Sequence, residues 1–173
     1  MLLDQIASQF GKPTDIPLPT WDEVLHEDEY NEGCCKGNGM VLFDKKIVHY
    51  GGDHSKFEFC DFMHLKKRTL FFAKVASRSS GCSHLVEQVK RTIELLFSAD
   101  PGFRTKLRKS IDQKHPRMDT SWLNSRPRPG DWKLCLVLMG RMKDKLPLFA
   151  RCSIASLAKH CDEHGHELLV ASV

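Results

Sequence analysis

Residues 71–88 read FFAKVASRSSGCSHLVEQ, and the fold turns on how this stretch is parsed. Phe71 to Val75 has the aromatic and β-branched content of a buried strand. From Cys82 onward the period changes: Leu85, Val86, Val89, Ile93, Leu96 and Phe97 recur at helical spacing until Asp100-Pro101-Gly102 stops them. A strand running into a one-sided helix implies a sheet for that helix to lie on. Lys74 is the anomaly. It shares a strand face with Phe72 and Ala76, so its ammonium emerges between apolar neighbours, where it needs an anion close by.

Upstream, three strands are expected in series, Met40–Tyr50, Lys56–His64 and Thr69–Ser77, turning at Gly51-Gly52 and at Lys66-Lys67-Arg68 as an antiparallel meander. Downstream come a basic helix over 103–111, a long loop over 112–131, a strand Trp132–Met142, a helix Ser153–His164 and a strand Glu167–Val173, with Gly165 as the helix stop. At the other end, Leu2, Leu3, Ile6 and Phe10 are spaced as a short helix closed by Gly11 and Pro13. A proline-rich linker over 11–20 follows, and then a short acidic surface helix with Thr20 as cap and Glu23 at the capping-box position. The order predicts an α+β protein, an α/β sandwich with an α-β-β-β-α-β core and an added C-terminal α-β pair.

With 173 residues, 41% of them hydrophobic and 28% charged, the composition is that of a globular domain, and no apolar run nears the roughly 18 residues of a membrane span. The opening MLLDQIASQF has neither a basic start nor a small-residue cleavage site, which points to the cytoplasm. Seven irregularly spaced cysteines argue for reduced thiols. Residues 1–32 carry eight acids against Lys12 alone, a net −7, which leaves +11 on residues 33–173. The division predicts an acidic N-terminal segment and a basic core whose partner is a polyanion such as nucleic acid.

Three acids stand within strands: Asp44 in VLFDKKIV, and Glu58 and Asp61 in KFEFCDFM. Hard carboxylate oxygens suit Mg2+ or Mn2+, and Lys74 beside them would face a phosphate or orient the attacking water, the arrangement of metal-assisted phosphodiester hydrolysis. The same acids would equally serve as sheet-end charges paired with Lys45, Lys46 or Lys74. Arg78, Ser79 and Ser80 sit immediately before a helix start, where free N–H groups and the positive dipole end favour a phosphate, although an N-cap accounts for the serines as well. His84 and Gln88 lie one turn apart and would reach the sheet end at Lys74, as catalytic side chains or as polar groups at the core edge. Arg104, Lys106, Arg108 and Lys109 form a second basic segment. The tail His160-Cys161-Asp162-Glu163-His164-Gly165-His166, with Cys152 or Cys34-Cys35, lacks the paired CxxC spacing of a zinc site. Cys60 and Cys82 carry no sign of an activated nucleophile.

The segments WDEVLHEDEYNE, VLFDKKIV, FEFCD, FFAK with SSGCSHLVEQ, ELLFSADPGFRTKL and LPLFARCSIASLAKHCDEHGHEL, covering most of residues 20–173, resemble the C-terminal half of a sporadically distributed bacterial family of uncharacterised function. That resemblance implies a domain, and leaves room for a separately encoded partner domain. The order of acid strand, E-x-C-D strand, lysine strand and Ser-His-Leu helix carries it. Val75 departs from the pattern, in which a second basic residue is common after the lysine. The element order is also similar to the PD-(D/E)XK nuclease core of the restriction-endonuclease-like fold. Phe72 occupies the position two before Lys74 where that core has an acid, so Glu58 or Asp61 would have to supply it. The two expectations drawn are a Mg2+-dependent nuclease-like domain in a bacterial defence or mobile-element setting, and a non-catalytic nucleic-acid-binding or protein-interaction module.

Overall fold

A computed structural model describes residues 11–37, 39–43, 47–49, 56–76, 79–140 and 145–173. The protein is a mixed α+β structure. Its elements in chain order are β1 (Lys12–Pro13), α1 (Glu27–Cys34), β2 (Met40–Leu42), β3 (Ile47–His49), β4 (Lys56–Glu58), β5 (Phe62–His64), β6 (Thr69–Val75), α2 (Ser79–Leu96), α3 (Gly102–Lys114), a 3-10 turn at Ser121–Leu123, β7 (Lys133–Met139), α4 (Leu148–Glu163) and β8 (Glu167–Ser172). Six strands form one sheet in the order β1-β8-β7-β6-β5-β2, while β3 and β4 pair as a separate hairpin. The β2-β5-β6 part is antiparallel, and β6, β7, β8 and β1 run parallel.

The parallel half explains its own sequence. Leu134 to Met139 are all fully buried, because a central parallel strand is covered on both faces and cannot alternate with polar residues. On β6, Leu70 and Phe72 enter the larger core beneath α2, α3 and α4, whereas Phe71 and Ala73 enter a smaller core on the opposite face with Ile16, Tyr30 and Cys34. The helix α2 buries Leu85, Val89, Ile93 and Leu96 in one stripe against that sheet. At the end of α4 the chain reverses at Gly165, whose φ of 74° is a left-handed conformation natural to glycine after a helix.

The meander differs from expectation. Met40–Tyr50 is not one strand: β2 ends at Leu42, and β3 belongs to the separate hairpin. Lys56–His64 likewise divides into β4 and β5. The reason lies at residues 59–61, where consecutive residues Phe59 and Cys60 both enter the larger core, which a strand's alternation forbids. Phe59 meets Phe43 edge-on at 5.9 Å and Phe103 at 6.2 Å, contacts that bend the chain out of the sheet. The turn expected at Lys66-Lys67-Arg68 is present, with Arg68 at φ 48°; Gly51-Gly52 lie outside the described residues.

Other boundaries move for local reasons. The acidic helix is capped at His26 and not at Thr20, because the His26 N–H donates to the Glu29 carboxylate at 2.8 Å, setting the capping box six residues later. Helix α2 begins at Ser79, earlier than Cys82. Helix α3 runs to Lys114 and shortens the predicted loop, within which Trp122 packs on Trp132. Helix α4 begins at Leu148 directly after Pro147, five residues before the predicted Ser153. The helix expected over residues 2–10 lies outside the described residues. All seven cysteines are free thiols, and among the described residues no helix is long and apolar enough to cross a membrane.

Candidate functional site

The strands β5 and β6 are paired only from Phe62–His64 to Thr69–Phe71. Beyond that point the chain leaves the sheet at Asp61, whose N–H still donates to the Phe71 carbonyl at 3.0 Å. The next two β6 donors on that side, the N–H groups of Ala73 and Val75, have lost their partner strand. Backbone donors at such a half-buried position must be satisfied, and carboxylates take both. Asp61 accepts from Ala73 N–H at 2.7 Å through Oδ2, and Glu27 accepts from Val75 N–H at 3.3 Å through Oε2.

Between these two capped amides stands Lys74, whose Nζ donates to Glu27 Oε1 at 2.8 Å. The pair is half-buried, with side-chain exposures of 34% for Lys74 and 28% for Glu27. Burial pulls the Lys74 ammonium toward neutrality, but the hydrogen bond and charge of Glu27, joined by the charges of Asp61 and Glu58, outweigh it, and the net displacement is upward from 10.5. Lys74 is therefore held cationic. Asp61, by contrast, is 4% exposed, a buried carboxylate anchored in the strand split.

Helix α2 closes the site from above. A side chain at Gly81 would come within 3.1 Å of the Val75 carbonyl and 3.6 Å of Lys74 Cγ, so glycine lets the first turn of α2 rest on the end of β6. The first turn of α2 consequently lies beside Lys74, adding the positive end of the helix dipole. Further along α2, Gln88 Nε2 donates to the Glu58 carbonyl at 3.5 Å and Thr92 Oγ1 to the Phe59 carbonyl at 2.7 Å. These bonds hold the bend that delivers Glu58 and Asp61.

The structure thus brings together Lys74, Glu58, Asp61 and, through its backbone contact, Gln88. His84 is exposed one turn before Gln88, and Ser80 is exposed in the first turn of α2. Ser79 opens that helix. Asp44 and Arg78 lie outside the described residues. Glu27 is the member that the sequence reading missed. Its signal was the acidic run HEDEYNE, which reads as a solvated surface because its cationic partner lies 47 residues away. Among the described residues, no three His, Cys, Asp or Glu side chains are gathered as a metal-binding group.

Two other readings change. In the basic segment, Arg104 is buried and donates to the Leu96 and Ser98 carbonyls at 3.2 and 2.6 Å, closing the end of α2 rather than facing a phosphate. Arg108 bonds Asn124 and faces Asp112 at 3.6 Å. In the tail, the His160 and His164 rings lie against each other at 4.3 Å and His166 packs edge-on to Phe97 at 4.4 Å. Burial pushes the Cys161 thiol up to about 12 and raises the Cys82 thiol, so neither is a ready thiolate.

The chain belongs to a family of unknown function, DUF6119, which it matches over residues 1–173. Neither a curated protein nor a solved structure matches it.

Proposed function

We propose that the protein is a nuclease-like domain that cleaves phosphodiester bonds in nucleic acid with the help of Mg2+ or Mn2+. The observation that carries the reading is the strand split itself: where two antiparallel strands part beneath a helix N-terminus, a cationic lysine is paired with Glu27 between amides capped by Glu27 and Asp61, and it feels the charges of Asp61 and Glu58. The topology supports it. A helix, three antiparallel strands, a helix and a parallel strand, here α1, β2-β5-β6, α2 and β7, follow the order of the PD-(D/E)XK core, with the β3-β4 hairpin and α3 as additions. In this reading Asp61 or Glu58 takes the place of the acid that Phe72 displaces. Glu27 adds a helix carboxylate from the start of the core.

The donor set is hard oxygen, as Mg2+ or Mn2+ requires. Glu58 and Asp61 would hold the ion, with Glu27 once it is released from Lys74 and with Asp44 as a further donor; the ion would neutralise charge on the scissile phosphate. The chain's own groups do the rest. Lys74, charged at neutral pH, faces the phosphate or orients water, and the α2 amides take phosphate oxygens. The basic body recruits the polyanion.

A second reading is favoured by the completeness of the hydrogen bonds: with Ala73, Val75 and Lys74 all satisfied by carboxylates, the cluster works as a clasp that closes the split in a non-catalytic binding module. Incubation with plasmid, linear duplex and RNA, in Mg2+, in Mn2+ and in chelator, separates the two. Metal-dependent cleavage lost in Lys74→Ala supports the nuclease. Binding without cleavage by the folded native chain selects the clasp.

A further inference from the structure

The opposite end of β6 carries a different feature. Around the β5-β6 turn, the edge strand β2, the end of α3 and residues 115–119 enclose an open groove of about 830 Å3. This is the size of a small-molecule site. Its floor is apolar, with Val41 and Met118, and its rim carries Lys66, Lys114 and Arg117. Among the described residues none of these three cations has an ion-pair partner, whereas the neighbouring Lys67 pairs with Asp15 at 3.7 Å. The carboxylate on the rim, Asp119, accepts the Ser121 N–H at 2.9 Å. Three cations against one carboxylate over an apolar floor suit an anion that carries an apolar part.

Two imidazoles, His64 and His115, complete the lining. His64 Nδ1 accepts the Lys67 N–H at 3.3 Å, which leaves its proton on Nε2 as a donor for a ligand. Burial, with Lys67 and Lys66 nearby, lowers the His64 pKa below 6.5 and favours the neutral ring, whose face can stack on a base. Gly39 stands against the Nε2 edge, where any side chain would come to 3.7 Å. A fatty anion would use the floor but would bring one charge to three cations and leave the His64 donor unused.

We infer that this groove binds a nucleotide unit, its phosphate on Lys66, Lys114 and Arg117 and its base against Val41, Met118 and the imidazoles. His64 pairs with Thr69, five residues before Lys74, so the groove stands about 17 Å from the strand split at roughly 3.3 Å per residue. The inference does not depend on cleavage.

Calorimetric titration of the full chain, in chelator, with AMP, UMP, adenosine and inorganic phosphate tests it. AMP or UMP should bind, with adenosine and phosphate each about tenfold weaker. Lys66→Ala and Arg117→Ala, both at exposed positions, should each weaken nucleotide binding about tenfold without changing Tm, while the distant Lys159→Ala should leave it unchanged. A ten-nucleotide single strand that binds more tightly than AMP assigns the unit to a chain, and weaker binding assigns it to a free nucleotide. No binding of either nucleotide at millimolar concentration, equal affinity for AMP and adenosine, or affinity indifferent to both rim substitutions would overturn the inference. Retained nucleotide binding in a chain that cleaves nothing would leave it standing while removing the nuclease reading.

Discussion

The two ends of β6 hold their charges in opposite ways. At the split end, Lys74 is half-buried, paired at 2.8 Å with Glu27 and surrounded by acids that also cap two orphaned strand amides. At the turn end, Lys66, Lys114 and Arg117 are exposed around an apolar groove, with no ion-pair partner among the described residues. Burial explains the difference. A charge inside must be neutralised by the protein itself, and removing one partner leaves the other stranded; a charge at the surface is solvated and keeps its capacity for a ligand. The split end is therefore where substitutions should cost stability, and the turn end where they should cost binding alone.

The sharpest way to break that contrast is Asp61→Ala. It leaves the Ala73 N–H without its acceptor in a buried position and should destabilise the fold by about 2–3 kcal/mol in urea denaturation, whereas Asp61→Asn, which keeps an acceptor, should cost about half as much. Equal losses for the two substitutions would show that the carboxylate's charge, and not its capping bond, holds the split together. The matching change at the turn end, Arg117→Ala, should move stability by less than about 0.5 kcal/mol.

Next in size is the Lys74–Glu27 pair. Because both side chains are about a third exposed, solvent screening limits the coupling, and a double-mutant cycle on Lys74→Met and Glu27→Gln should give about 1 kcal/mol. Its pH dependence has a definite sign. The folded pKa of Lys74 is raised above 10.5, so the pair's contribution is fully present below the unfolded value and is lost as pH rises through the folded value. The coupling should hold constant across neutral pH and fade as alkali deprotonates Lys74; a coupling that vanished between pH 6 and 8 would contradict the assignment.

The strands β6 and β7 and the helix α2 were legible because their periods are clean: continuous apolar residues for a strand covered on both faces, and a Leu85/Val89/Ile93/Leu96 stripe for a helix lying on a sheet. The meander was only half legible. Alternation in KFEFCDFM cannot register that Phe59 and Cys60 both turn into one core, since that depends on Phe43 and Phe103 from elsewhere in the chain. The need of Lys74 for an anion was readable from its strand. That Glu27 meets it was not, because an acid run ahead of a helix carries no mark of which cation it will face. The turn-end groove was invisible for a similar reason, assembled as it is from three separated segments.

The smallest expected effect is at His64. Its pKa in the free protein lies below 6.5, lowered by burial and by Lys67 and Lys66, so the stability it contributes is present above the ordinary histidine value and is lost as pH falls through the folded one. A bound phosphate should raise that pKa by opposing the two lysines, an upward shift visible in the imidazole NMR signals on titration with AMP. An unmoved signal would place the anion away from the groove.

The central claim, that the strand split is a phosphodiester-cleaving site, is tested most directly by nuclease assays on native chain and Lys74→Ala side by side, purified identically and shown folded by circular dichroism, with Mg2+, Mn2+ and chelator. Cleavage of at least one DNA or RNA substrate by the native chain in metal, abolished by chelator and by Lys74→Ala, is the predicted result. Cleavage retained in Lys74→Ala, or no cleavage of any substrate by the folded native chain in either metal, would contradict it and leave the Lys74–Glu27–Asp61 cluster as the clasp of a split sheet.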